Sequence, residues 1–204
     1  NRLKSALNQS EDLIFSPHLP HYFGRSSIRE LAVELDYKLN DKFDSDFQFD
    51  LLGFSMGGLI SRVWLQEFNA HKRVRRFFSV GAPHNGTLTA QIVPHYIFPG
   101  IADMKYSSKL VRSLIPNASK LRTIDCRSYF CKYDMMVFPG YKGVLPIGSV
   151  TSVPVLTHKA LIKHPISINI RTISYSISSF ILAKVSYMSN KKKVMIKTYG
   201  CQMN

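Results

Sequence analysis

Leu51-Leu52-Gly53-Phe54-Ser55-Met56-Gly57-Gly58-Leu59-Ile60 is an apolar run with one hydroxyl at its centre and a glycine two residues to either side. It predicts a buried strand, one sharp turn and a helix, with Ser55 at the turn. The spacing is the G-x-S-x-G pattern of a nucleophile elbow. A serine forced into so tight a turn has a strained backbone, and its neighbours must approach each other closely. Gly53 and Gly57 carry no Cβ atoms to collide. The arrangement raises the hydroxyl clear of the sheet and aims it at the positive end of the following helix.

Strands and helices alternate outward from this stretch. On its C-terminal side, Gly57 to Phe68 carries Leu59, Ile60, Val63, Trp64 and Phe68 on one helical face. Val74 to Val80 then reads as a strand that stops at Gly81-Ala82-Pro83-His84-Asn85-Gly86-Thr87. On its N-terminal side, Asp12 to Ser16 reads as a short strand, and Pro17 and Pro20 enforce a loop. Ser27-Ile28-Arg29-Glu30 is a capping box that opens a helix ending near Asp41. Phe47 to Leu52 forms the strand before the elbow. Residues 88–120 are mixed and proline-punctuated, with a helical patch around Ser108 to Ile115. Leu121 to Phe130 reads as a strand, residues 143–155 contain another, and a short helix begins at His158 and runs to about His164. This alternation predicts an α/β fold whose sheet is mostly parallel. In such sheets the site lies beyond the carboxyl ends of the strands. Ser55, Gly81 to Thr87, Asp134 and His158 all follow predicted strands.

The chain has 204 residues, enough for one substantial core. Its net charge of +14 is uneven. Residues 166–204 hold Arg171, Lys184, Lys191, Lys192, Lys193 and Lys197 and no acid, which leaves +8 on residues 1–165. That balance suits an ordinary solvated surface or an anionic interface, and nucleic acid is not expected as a partner of residues 1–165. Three cysteines, Cys126, Cys131 and Cys201, suggest no disulfide framework, so a reducing compartment, the bacterial cytoplasm, is the expected location. The apolar run Thr172 to Ala183 is too short to span a bilayer.

A serine hydroxyl needs a base within reach, and the base needs an orienting carboxylate. The acids after Ser55 are Glu67, Asp103, Asp125 and Asp134. Glu67 falls on the helix after the elbow, Asp103 in the mixed segment and Asp125 inside a predicted strand. Asp134 directly follows a strand and ranks first; its other reading is a turn former. Among the histidines, His71 falls on the wrong side of the sheet, and His84 and His95 precede every well-placed acid. His158 lies between a strand and a helix, and its other reading is a helix N-cap. His164 suits the helix end before Pro165. The candidate triad is Ser55, Asp134 and His158.

Gly53-Phe54-Ser55-Met56-Gly57-Gly58, followed by Gly81-Ala82-Pro83-His84-Asn85-Gly86-Thr87, resembles the lipases and esterases of the α/β-hydrolase superfamily, nearest to small bacterial lipase-like proteins. The likeness runs to about Pro165. It implies an α/β-hydrolase sheet with helices on both faces and a serine hydrolase acting on acylglycerols or similar esters, with no cofactor and no metal. It also implies transient contact with a lipid interface. By the same resemblance Ser55 is the nucleophile, Asp134 the acid and His158 the base. The Met56 N–H is one oxyanion donor, and residues 88–120 stand where a lid would be. An acyltransferase or a thioesterase would use the same residues. Such enzymes open with a strand ending in a His-Gly motif that supplies the second oxyanion donor. No such stretch is found here, so the expectation is a hydrolase lacking its first strands. One lost donor costs roughly 2.7–4 kcal/mol of transition-state stabilisation.

Thr198-Tyr199-Gly200-Cys201-Gln202-Met203-Asn204 is similar to the opening of the radical-SAM tRNA methylthiotransferases. The resemblance implies that Cys201 is one of three cluster thiolates, and the other two do not follow it in this chain. The expected organisation is a hydrolase domain over residues 1–165, a linker or read-through over 166–190, and the start of a methylthiotransferase-like segment over 191–204.

Overall fold

The computed structural model describes residues 14–167 and 195–199. The expected helical spacing of Asn1 to Asn8, most of the linker, and Cys201 lie outside those residues. Six strands form one sheet: β1 (Ile14–Phe15), β2 (Phe49–Phe54), β3 (Val74–Val80), β4 (Asp125–Phe130), β5 (Ser149–Ser152) and β6 (Met195–Tyr199), in the order β1-β6-β2-β3-β4-β5. Every pairing is parallel. The helices are α1 (Ile28–Lys42), α2 (Met56–Glu67), α3 (Pro99–Ala102), α4 (Lys109–Ser113) and α5 (His158–Leu161). The fold is α/β with a parallel sheet, as the alternation predicts.

Local chemistry accounts for the principal elements. Ser27 accepts from the Glu30 N–H at 3.2 Å while the Glu30 carboxylate accepts from the Ser27 N–H at 2.7 Å, closing the capping box of α1. A cap of this kind is worth about 1 kcal/mol. α1 buries Ile28, Leu31, Ala32, Leu35 and Leu39, all on one face. They join Leu59, Val63 and Trp64 of α2 over Phe49 and Leu51 of β2 and Phe77 of β3. The opposite face of the sheet carries a smaller cluster, in which Leu52, Phe54, Phe78, Val80 and Tyr129 meet Leu161 of α5. The period of two in a strand divides β2 between these cores, so the elbow strand is buried along its whole length.

One expectation changes. The stretch read as a strand from Leu121 is a 3-10 helix over Pro116–Thr123, and β4 begins at Asp125. Pro116 starts that turn, and Lys120 is drawn back to the end of α2 and the turn after it by bonds to the Gln66 carbonyl (2.7 Å) and to Asn69 Oδ1 (2.8 Å). Residues 195–199 contribute β6 to the same sheet. β6 fills the place beside the elbow strand on the side away from β3. It can do so because Ile196 is apolar and faces the main core. Among the described residues no helix is long and apolar enough to cross a membrane.

Candidate active site

Ser55 stands between β2 and α2 with φ 53° and ψ −130°. A non-glycine residue there is strained by about 1–3 kcal/mol and persists only where its surroundings over-determine it. The constraints are visible. The Ser55 N–H donates to the Val80 carbonyl at 2.9 Å, and the Ser55 carbonyl accepts from the Gly58 N–H at 3.0 Å. A Cβ on Gly53 would lie 2.5 Å from the Gly58 Cα and 3.0 Å from the Gly57 oxygen. A Cβ on Gly58 would lie 2.4 Å from the Ala82 Cβ. The close approach at the elbow is therefore between Gly53 and Gly58, with Gly57 supplying backbone. The Gly57-Gly58 doublet in the sequence carries the signal for this partner.

Met56 opens α2, so its N–H is among the four donors that lack an intrahelical acceptor. Ser55 and Met56 lie at the wall of a cavity of about 340 Å3, whose other walls include Phe23, Val93, Ile101, Met104 and Met136. These apolar walls come from the loop before α1, from residues 83–104 and from the loop after β4. The sequence assigns Phe23 no role, because it comes from a different loop than the one carrying Ser55. A second cleft, of about 500 Å3, lies between that first loop and α1, lined by Tyr22, Arg25, Ser26, Glu30 and Glu34, and the Ser26 hydroxyl there donates to the Pro20 carbonyl at 3.0 Å.

Asp134 is 1% exposed. Its Oδ1 accepts from the N–H groups of Met136 (2.8 Å) and Val137 (3.1 Å). Its Oδ2 lies 2.6 Å from His158 Nδ1. The carboxylate is thus both a turn former and the partner of a histidine, one oxygen for each task. His158 is the first residue of α5, and the cap of that helix is Thr157, whose hydroxyl accepts from the Ala160 N–H at 3.2 Å. The imidazole is free of capping duty. Its ring lies 4.9 Å from that of Phe54, and a Cβ on Gly81 would meet its Cε1 at 3.0 Å. The ring therefore sits over the carboxyl ends of β2 and β3, where the elbow is. Its Nε2 is buried and without a hydrogen-bond partner.

The remaining acids and histidines serve elsewhere. Glu67 pairs with Arg29, Asp125 with Arg127, and Asp103 accepts from the Ile28 N–H at the start of α1. Burial raises the Asp103 carboxyl above the usual carboxylate range. His71 Nδ1 lies 3.3 Å from the Leu65 carbonyl, and His164 Nδ1 accepts from the Ile166 N–H. His84 is fully buried, with Nε2 2.6 Å from the Ser79 hydroxyl. Burial, with the Arg62 charge second, holds its pKa well below the ordinary value of 6.5. Among the described residues no group of three or more metal-ligating side chains comes together. Cys126 and Cys131 are buried free thiols, and burial pushes Cys126 up to about 12.

The sequence profile of the palmitoyl protein thioesterase family matches residues 25–133. The match includes the elbow, stops one residue before Asp134, and leaves His158 outside. A search of curated proteins finds no match. Among solved structures, the fold is similar to lipase B of Aspergillus fumigatus, with a TM-score of 0.59 and 16% identity over 73% of this chain. The chain spans 41% of that protein's length. It is equally similar to lipase BlEst2 of Bacillus licheniformis in its mature form, with a TM-score of 0.59, 13% identity, and coverage of 74% of this chain and 75% of that one. The lin2722 product of Listeria innocua gives a TM-score of 0.51 at 14% identity, covering 84% of this chain and 71% of that one. At these identities the likeness is one of fold.

Proposed function

The chain belongs to the palmitoyl protein thioesterase family of α/β-hydrolases, and from that premise we propose that it is a serine hydrolase cleaving carboxylic esters of apolar acyl groups. The observation that carries this reading is the buried, partnerless Nε2 of His158, on a ring whose Nδ1 is held by Asp134 and which lies over the strand ends beside Ser55. A buried nitrogen without a partner costs free energy. A hydroxyl proton is what such a nitrogen is placed to take.

In the proposed reaction the Asp134 carboxylate accepts from His158 Nδ1–H, which leaves the Nε2 lone pair available. Nε2 takes the Ser55 proton as Oγ bonds to the acyl carbon. The carbonyl electrons move onto oxygen, and the Met56 N–H donates to that oxyanion. The tetrahedral adduct collapses, the alkoxide leaves with the proton from Nε2, and an acyl-enzyme remains. Water then loses a proton to Nε2 and attacks the acyl carbon, and the serine is reprotonated as the carboxylic acid departs. The apolar walls at Ser55 favour an acyl chain over a polar substituent.

The family match favours a second reading, in which the leaving atom is the sulfur of a thioester. The test is labelling with a fluorophosphonate, followed by turnover of an oxygen ester and a thioester of the same acyl group. Labelling of the wild-type chain that disappears in Ser55→Ala is expected. An unlabelled wild-type protein, or equal labelling of Ser55→Ala, sinks the proposal. The ratio of the two turnovers decides between the leaving atoms.

A further inference from the structure

We propose that Thr198, on the C-terminal strand, is a positioning residue for Ser55, holding the elbow from the side away from β3. β6 runs parallel to β2 over five rungs, from Asp50 opposite Met195 to Phe54 opposite Tyr199. Ile196 is fully buried in the main core, and Thr198, two residues on and on the same face, is equally buried. A buried hydroxyl must find partners, and Thr198 has three. Its Oγ1 lies 2.8 Å from the Ser61 hydroxyl, 3.1 Å from the Gly57 carbonyl oxygen and 3.3 Å from the Leu52 carbonyl oxygen.

One hydroxyl carries one proton. The arrangement is satisfied when Ser61 donates to Thr198 and Thr198 shares its proton between the two carbonyls. Those carbonyls stand on opposite sides of the nucleophile. Leu52 is on the strand that enters the elbow, and Gly57 is in the first turn of the helix that leaves it. One side chain thus bridges the two arms of the turn whose centre is held at φ 53°. Both carbonyls belong to a ladder or a helix and retain those bonds without Thr198. The bridge therefore governs the angle between strand and helix, and so the aim of the hydroxyl and of the Met56 N–H, more than overall stability. A misaimed nucleophile loses rate, because catalysis depends on near-attack geometry.

The inference rests on Ser55 being the nucleophile, and its test keeps the two questions apart. In the full chain, Thr198→Val removes the hydroxyl and keeps the shape, and Thr198→Ser restores the hydroxyl. The first readout is the fluorophosphonate labelling rate of Ser55. The second, independent of activity, is native-state amide exchange over residues 53–58. Thr198→Val is expected to slow labelling about fivefold to tenfold, which is what the net worth of one hydrogen bond converts to. It is also expected to speed exchange at the elbow, and Thr198→Ser is expected to restore both. Wild-type labelling and exchange in Thr198→Val overturn the proposal. If Thr198→Val does not fold, Thr198→Ser carries the test: a wild-type exchange pattern supports the bridge, and elbow exchange much faster than wild type overturns it. A wild-type chain that never labels removes the nucleophile reading alone, and the exchange comparison still decides whether Thr198 braces the elbow.

Discussion

Asp134 divides its two oxygens between two kinds of partner. Oδ1 takes two backbone N–H groups of its own loop and Oδ2 takes the imidazole. The backbone bonds set the carboxylate's orientation before the histidine is considered. An asparagine could keep its oxygen on Met136 and Val137, but its amide would then face His158 Nδ1 as a donor. That selects the tautomer with the proton on Nε2, which cannot accept from a serine. Asp134→Asn is therefore expected to fold with a melting temperature close to that of the wild type and to lose on the order of 10^4-fold in ester turnover. Calorimetry beside a chromogenic ester assay reads both. Turnover within tenfold of wild type would remove Asp134 from the proposed mechanism. At this scale the sequence was most informative about residue type: Ser55, Asp134 and His158 were ranked from their places after strands. It could not separate a turn-forming aspartate from an orienting one, because the difference lies in where the second oxygen points.

The loop after β3 shows how elements lean on one another. Arg62 of α2 is buried, donates through Nη1 to the His84 carbonyl at 2.8 Å, and donates through Nε to Gln66 at 2.8 Å. Gln66 in turn donates to the Leu114 carbonyl. Burial lowers the Arg62 guanidinium to about 10. His84, below it, has no room for a second charge. Its folded pKa lies well below the ordinary 6.5, so below pH 6.5 the unfolded chain binds a proton that the folded chain refuses. Stability must then fall as pH drops through 6.5, by at most about 1.4 kcal/mol per pH unit from this one group. His84→Gln is expected to flatten that fall between pH 6.5 and 5, as read from urea unfolding at a series of pH values. An unchanged slope would show that the buried imidazole is not the source. In the sequence His84 is set aside only because it precedes every well-placed acid. Its burial against Arg62 follows from the packing of α2 under the loop, which no local pattern encodes.

On the scale of the whole molecule, the three segments that wall the Ser55 cavity also leave large apolar side chains in water. Ile92 is 90% exposed, Tyr96 85%, Phe23 76% and Met135 71%. Phe23 belongs both to this group and to the cavity wall. No acidic residue occurs from residue 68 to 102 or after Asp134. Lys132 and Lys142 stand over the rings of Tyr133 and Tyr141 in the neighbouring loops. Exposed apolar side chains with basic neighbours suit the surface of an anionic lipid assembly. Binding to vesicles containing phosphatidylserine is expected to exceed binding to phosphatidylcholine alone and to weaken with salt. Ile92→Asp is expected to reduce it without altering fluorophosphonate labelling in detergent-free buffer. Equal sedimentation with both vesicle types would reject the lipid surface as a partner.

The sequence by itself determined the elbow, the capping box of α1, the strand–helix alternation and the parallel sheet. Each of these is written in residues adjacent along the chain, where sterics, caps and periodicity act over one or two turns. Tertiary structure alone decided the rest. It brought Asp134 to His158 across 24 residues, made Gly58 the close neighbour of Gly53, and buried His84 against Arg62. It also set β6 beside β2, across 146 residues between Thr198 and Leu52. The physical reason is common to all four. Each depends on which group a residue meets once strands, turns and helices have packed, and packing brings groups together that no local sequence pattern pairs.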